Sequence, residues 1–280
     1  MKRKIEIGIL TIIIIGLISS ILVIWYNTND HTSRQVKSVI KFLEKLEEIG
    51  AIKEDSISKA SEFSEVEIGN VRNPQVKHTI IAENYGVDLD EEYNIVGFLN
   101  QGQVSRNEES IDINEAIKIA SNYVEEISKK DISLNEVKET PSEEVPYYTI
   151  SFYKIYKDYV NFNSEIIIKI HENNGELVGY SEVSSKSKKY KDDIEISQME
   201  SEEIALKYFK DKEIKGEILS STNIGYLFID EEVSQLCRII NYEVKLENDS
   251  RAIHQIYIST EDGTILKEAI ISENIGVIKE

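Results

Sequence analysis

Residues 112–127 read DINEAIKIASNYVEEI, and the parsing of that stretch decides the fold. Ile113, Ala116, Ile117, Ala120, Tyr123, Val124 and Ile127 recur three or four residues apart, while Asn114, Glu115, Lys118, Asn122 and Glu126 fall between them. A period near 3.6 residues puts the first set on one face of a helix and the second set on the other. Asp112 and Glu115 have the spacing of a capping box, in which the first side chain accepts from a free amide and the second reaches back to the cap. Ala116 and Ala120 are small enough to let such a helix lie close to a sheet.

Strands follow this helix. Tyr147 to Lys157 is rich in aromatic and β-branched residues, and Glu165 to His171 alternates with Ile166, Ile168 and Ile170 on one face. Asn173-Asn174-Gly175 is a hairpin-turn signal, and Leu177-Val178-Gly179-Tyr180 returns after it. A helix followed by hairpins predicts an α+β layer, an antiparallel sheet carrying its helix on one face.

The plan recurs. Ser197-Gln198-Met199-Glu200 is a second capping box, followed by Ser201, Ile204, Ala205, Tyr208 and Phe209 on one face. Aligned on their caps, Asp112 falls on Ser197, Ala116 on Ser201, Ala120 on Ala205 and Tyr123 on Tyr208. Arg238 to Leu246 then reads as a strand, His254, Ile256 and Ile258 share the face of the next, and Asp262-Gly263 turns into Thr264-Ile265-Leu266. A weaker copy runs from Thr32-Ser33-Arg34-Gln35 through Val36, Val39, Ile40, Leu43 and Leu46 to Gly50. Its strands are Tyr85, Val87 and Leu89, then Ile95-Val96-Gly97-Phe98, around a turn that lacks the glycine. The expected organisation is an anchor over 1–30, a degenerate first module over 31–106 and two fuller modules over 107–184 and 185–280. Units this small are marginal alone, so neighbours are expected to pack together. The expected joints are Asn107 to Ser110 and Ser184 to Asp193.

The two fuller copies resemble the PepSY type of module, including the repeats of YcdB/YcdC-like bacterial proteins and the propeptides of secreted metallopeptidases. The resemblance rests on the capped helices Asp112 to Val124 and Ser197 to Phe209. It rests also on the hairpins ending in Asn174-Gly175-Glu176-Leu177-Val178 and Asp262-Gly263-Thr264-Ile265-Leu266. It covers Ile111 to Val183, Ile194 to Ile271 and the two ends of Thr32 to Asn100. It implies modules that act outside the membrane, either restraining peptidases or serving as interaction and assembly parts. Some spore-germination proteins that support a cell-wall-lytic partner have a similar layout of amino-terminal anchor and tandem modules.

At the amino end, Lys2, Arg3 and Lys4 precede an apolar run from about Ile7 to Tyr26. Roughly 20 residues span a hydrocarbon core of about 30 Å. The basic cluster predicts a cytoplasmic amino terminus, with Trp25 and Tyr26 at the opposite interface. The run is longer than a cleaved signal's apolar region and offers no small-x-small site near its end. The expectation is an uncleaved signal anchor, a single-pass cell-membrane protein with its bulk extracytoplasmic.

The formal net charge is −19, and a body so acidic repels phosphate backbones, so nucleic acid is not expected as a partner. Acidity also serves plain solubility, or a basic partner. One cysteine, Cys237, excludes an intrachain disulfide or a cysteine-built metal cluster, and its apolar neighbours Leu236, Ile239 and Ile240 read as core. His31, His78, His171 and His254 form no zinc pattern. Alternation puts His171 with Lys169 and Glu165 on a polar face, and His254 partly buried beside Ile256 and Ile258, where protonation would act on packing. Asp88-Leu89-Asp90-Glu91-Glu92 fails as a calcium loop, since Tyr93 and Leu99 stand where glycine and glutamate are needed, and reads as a solvated turn.

Tyr148, Ile150, Phe152 and Tyr156 are expected on the inner face of their strand. Tyr147 and Tyr153, with Tyr159 and Phe162, form an outer aromatic set that is either ordinary strand composition or a recognition surface. No nucleophile elbow, phosphate loop or dinucleotide fingerprint is present, and no catalytic, metal or cofactor residue is singled out. The expected function is a membrane-anchored protein-interaction module that restrains or stabilises a peptidase or wall hydrolase. The alternatives are an envelope enzyme with an unrecognised site and a passive structural ectodomain.

Overall fold

The computed structural model describes residues 33–53, 63–66, 73–102, 110–142, 145–184, 187, 189–219, 223–230, 232–245 and 251–272. The expected membrane anchor, His31 and the joint at Asn107 to Glu109 lie outside them. Among the described residues, no helix is long and apolar enough to cross a membrane. The described residues fold as α+β, with three helices and a large, mostly antiparallel sheet.

Helix α1 (Arg34–Glu48) starts at Ser33, whose Oγ accepts from the Val36 amide at 3.3 Å. Its buried stripe is Val39, Phe42, Leu43 and Leu46; of the residues the periodicity predicts, Val36 and Ile40 are only half-buried, and Phe42 is added. Helix α2 (Ile113–Ser128) starts at Asp112, where Oδ1 accepts from both the Asn114 and Glu115 amides, at 2.8 and 2.9 Å. The aspartate thus satisfies two of the orphan amides of the first turn. The reciprocal box forms at helix α3 (Gln198–Asp211), where Ser197 Oγ accepts from the Glu200 amide and Glu200 Oε2 accepts from the Ser197 amide. Ala116, Ala120 and Val124 are the buried residues of α2, and Ser201, Ala205 and Phe209 those of α3. The small residues at matched positions are therefore the ones pressed on the sheet.

The strands of the first segment are β1 (Phe63–Val66), β2 (His78–Ala82), β3 (Tyr85–Leu89) and β4 (Ile95–Asn100). Tyr93, with φ of 65°, takes the left-handed position in the β3–β4 turn that a glycine would ordinarily fill. After α2 come β5 (Ile132–Glu139), β6 (Tyr147–Tyr156), β7 (Tyr159–His171) and β8 (Leu177–Ser184). Strand β9 (Lys189–Lys191) precedes α3. Strands β10 (Gly216–Ile218), β11 (Ile224–Phe228), β12 (Val233–Lys245), β13 (Arg251–Ser259) and β14 (Ile265–Ser272) complete the order. Gly175 and Gly263 have positive φ at the two expected hairpin turns, and a Cβ on either would meet the helix above, at Ile119 Cδ1 (2.9 Å) or Ile204 Cδ1 (2.7 Å).

Separate small sheets were expected, and the structure corrects this. Among the described residues all fourteen strands join one sheet, whose main path runs β1-β2-β3-β4-β8-β7-β11-β12-β13-β14. The first joint is antiparallel, with Phe98 opposite Tyr180 across β4 and β8. It lets α1 and α2 share one core, running from Val39, Leu43, Ile80 and Val87 to Ala120, Ile150, Ile168 and Tyr180. The second joint is a short parallel contact of β7 with β11, Val160 opposite Gly225 and Asn161 opposite Tyr226. Strand β9 is a further correction, because part of the expected linker Ser184 to Asp193 pairs in parallel with the start of β12.

Beyond the second joint, α3 covers its own core of Ala205, Phe209, Ile240, Tyr242, Ile256 and Ile258, with Phe209 stacked on Tyr242 at 4.0 Å between centroids. Burying one such large side chain contributes about 1.5–3 kcal/mol. The opposite face of that sheet buries Leu227, Cys237, Ile239 and Tyr257, capped by Phe162 reaching across from β7.

Candidate functional site

Two of the tyrosines singled out in the sequence, Tyr156 and Tyr159, meet at the second joint. Strand β6 keeps its expected alternation through Tyr148, Ile150 and Phe152, all buried. The pairing of β6 with β7 then slips between Tyr153 and Lys154. The extra residues of this slip lie in β7, so β6 keeps its alternation; Tyr156, expected in the core, lies past the end of that core and is 38% exposed. Its ring stacks on Tyr190 of β9 at 4.2 Å and meets Tyr226 of β11 edge-on at 5.6 Å. Tyr159 also approaches Tyr226, at 6.1 Å, and Tyr190 contacts it at 5.0 Å. Four rings from four strands thus form one cluster, with Tyr226 fully buried beneath it. Of the outer set, Tyr153 is covered by Phe162, edge to face at 5.4 Å, and burial pushes its hydroxyl up to about 12.

Polar groups finish the cluster. Asp192 Oδ1 accepts from the Tyr226 hydroxyl at 2.8 Å, and Asp192 Oδ2 accepts from Lys157 Nζ at 2.7 Å. The Lys157 ammonium and then the Tyr226 hydroxyl hold the Asp192 carboxyl below its ordinary 3.8. Burial, followed by that bond to Asp192, pushes the Tyr226 hydroxyl well up. The ammonium also lies 5.6 Å from the Tyr156 ring centroid and 6.0 Å from that of Tyr190. Behind the rings, Asn163 extends the short joint with side-chain bonds. Its Nδ2 donates to the Tyr226 carbonyl at 3.3 Å, and its Oδ1 accepts from the Phe228 amide at 3.0 Å.

Other candidates are absorbed by structure. Cys237 is fully buried, its Sγ 3.4 Å from the Gly225 carbonyl, and burial pushes the thiol up to about 12, so it is no nucleophile at neutral pH. His171 is not on a polar face as expected. It is 3% exposed, because the turn folds back and the Asn173 amide donates to its Nδ1 at 3.2 Å. His254 sits as expected against the helix side. Its ring meets Phe209 edge-on at 5.9 Å, and its Nδ1 lies 3.6 Å from Glu268 Oε1, a carboxylate already bonded to Tyr208 and Lys212. His78 pairs with Glu65 at 2.7 Å.

The acidic run forms the expected turn. Asp90 Oδ1 accepts from the Glu92 and Asn94 amides, at 2.9 and 2.8 Å. That turn, with Gln75, Lys77, Ile95, Val96 and Glu182, lines a shallow groove of about 400 Å³. Glu182 is engaged by Lys154 and by the Tyr180 hydroxyl. Among the described residues, no three histidine, cysteine, aspartate or glutamate side chains are grouped to hold a metal ion.

The aromatic cluster was only half legible. Tyr156 and Tyr159 drew attention as strand residues, whereas Tyr190 and Asp192 lay in an expected linker and Tyr226 in an unrecognised strand. The signal that would have found them is the Lys-Tyr-Lys alternation at 189–191.

No family model matches the chain, and no curated protein matches it in sequence. Among solved structures it is similar to the Bacillus megaterium YpeB C-terminal domain, at 12% identity and a TM-score of 0.50, over 83% of this chain and 96% of that one. At that identity the likeness is one of fold, and it agrees with a PepSY-like architecture.

Proposed function

We propose that this chain is a membrane-anchored, extracytoplasmic protein-interaction module, built of tandem PepSY-like units, which restrains or stabilises a peptidase or cell-wall hydrolase. The apolar run from Ile7 to Tyr26 behind Lys2, Arg3 and Lys4 supports the anchor, and the three capped helices on following hairpins support the repeated units. The fold likeness to the YpeB C-terminal domain supports the PepSY-like arrangement of the units. The observation that carries the reading is the partly exposed aromatic and carboxylate cluster at the second joint. Aromatic side chains left at a surface are typical anchors of protein recognition. Crosslinking in native membranes followed by capture of the tagged full chain tests it. One stoichiometric partner from the hydrolase or peptidase class is expected, and recovery of nothing above background overturns the reading.

A further inference from the structure

The tip of the β6–β7 hairpin departs from ordinary turn chemistry. Lys157 and Asp158, with φ of 48° and 68°, are the one consecutive pair of non-glycine residues at positive φ among the described residues. Tyr156 pairs with Tyr159 around them, so this is a two-residue turn with both central residues left-handed. Such turns strongly prefer Asn-Gly or Asp-Gly, because a side chain with a Cβ is disfavoured there. Strained residues persist where the surroundings hold them. What holds Lys157 is its side chain: the bond to Asp192 at 2.7 Å and the stacked rings of Tyr156 and Tyr190 beside the ammonium.

A carboxylate beside electron-rich aromatic rings, here a stacked pair with the ammonium at its side, is chemistry that recognises an alkylammonium ion. Here the ion comes from the same chain. The arrangement is open to solvent, since the side chains of Lys157 and Asp192 are 51% and 44% exposed. A competing ammonium can therefore reach the carboxylate without unfolding anything. The chain's net charge of −19 draws basic partners toward it. We propose that Tyr156, Tyr190 and Asp192 form a lysine-recognition site, which Lys157 occupies in cis and which a lysine side chain of a basic protein partner takes over by displacing it. This rests on the reading of the chain as an interaction module and names the chemistry of its contact.

The test vacates the site without disturbing the turn. Lys157→Asn keeps a residue that tolerates the left-handed region while removing the ammonium. The full chain, with isotopically labelled tyrosine, is titrated with n-butylammonium chloride, against sodium chloride and n-butanol as controls. In Lys157→Asn the Tyr156 and Tyr190 ring signals are expected to respond at about tenfold lower probe concentration than in the unaltered chain. Adding Asp192→Asn is expected to abolish the response. A Lys157→Asn chain that responds no better than the unaltered one, or a response that survives Asp192→Asn, overturns the site. Failure here is separable from failure of the wider reading. A partner captured from membranes equally well by the Asp192→Asn chain removes this site and leaves the interaction module standing.

Discussion

Gly225→Ala is the sharpest test of the joint that unites the sheet. A Cβ at Gly225 would press on the carbonyl of Val160, its parallel neighbour, and lie 2.7 and 2.8 Å from Cε2 and Cζ of Phe162. The carbonyl belongs to main chain that is paired on both sides, so it cannot turn away as a side chain would. Overpacking of this kind costs about 1–3 kcal/mol. Taking about 2 kcal/mol, and a urea dependence of about 2 kcal/mol per molar, the midpoint of the affected transition should fall by about 1 M. If the chain unfolds in two steps, the shift belongs to the step that melts the α3 core, because β11 carries the contact into it. Gly86→Ala is the control. Its Cβ would find only Ile81 Cδ1 at 3.6 Å, ordinary contact distance, so the midpoint should stay or rise slightly. Circular dichroism in urea reads both variants. Equal midpoints for Gly225→Ala and the unaltered chain would mean that β7 and β11 are not held together, and the single sheet would be wrong.

Three further outcomes follow from the same geometry. Cys237, buried and with its thiol pushed up to about 12, should resist a thiol reagent at pH 8 in the folded chain and react at the rate of opening; prompt labelling refutes its burial. Lys212 first, then Tyr208, hold the Glu268 carboxyl below its ordinary 4.5. A carboxylate depressed by folding stabilises above its unfolded value, and that contribution is lost as pH falls through the folded value. Glu268→Gln should therefore lower the melting temperature at pH 7 and flatten its decline below about pH 4.5; parallel melting curves at pH 7 and pH 3 would count against this. Leu43→Ala, costing about 2–5 kcal/mol, should reduce hydrogen-exchange protection in α2 as well as α1, because the two helices share a core. Phe209→Ala should loosen α3, β12 and β13 instead, and unchanged protection of α2 in Leu43→Ala would refute the shared core.

The elements legible in the sequence were those specified by contacts close in the chain. The caps at Asp112 and Ser197, the apolar stripes of the helices and the turns at Gly175 and Gly263 each depend on residues within a few positions, whereas the first helix is capped by Ser33, one residue on from the Thr32 that heads its expected start. Strands β2, β5, β10 and β11 were missed because they are short or mixed in composition and owe their pairing to partners elsewhere. Tyr156 was misplaced because alternation gives the face of a side chain but not where the covering core ends, and the core shared by α1 and α2 stops short of it. His171 was misplaced because strict alternation ignores what a turn can fold over a strand end.

The same distinction explains why the candidate site resisted a reading by repeats. A repeat describes what each unit buries within itself, whereas this cluster draws Tyr156, Lys157 and Tyr159 from one hairpin, Tyr190 and Asp192 from the following connection, and Tyr226 from beyond α3. Each residue is unremarkable in its own segment: a strand tyrosine, a turn lysine, a linker aspartate. The parallel contact at Gly225, the side-chain ladder of Asn163 and the pairing of β9 with β12 bring them within bonding distance. If the joint is what creates the surface, then loosening it should weaken ammonium recognition even with every recognising residue intact. Gly225→Ala, made in the Lys157→Asn background, should therefore lose much of the butylammonium response, whereas Gly86→Ala in that background should keep it.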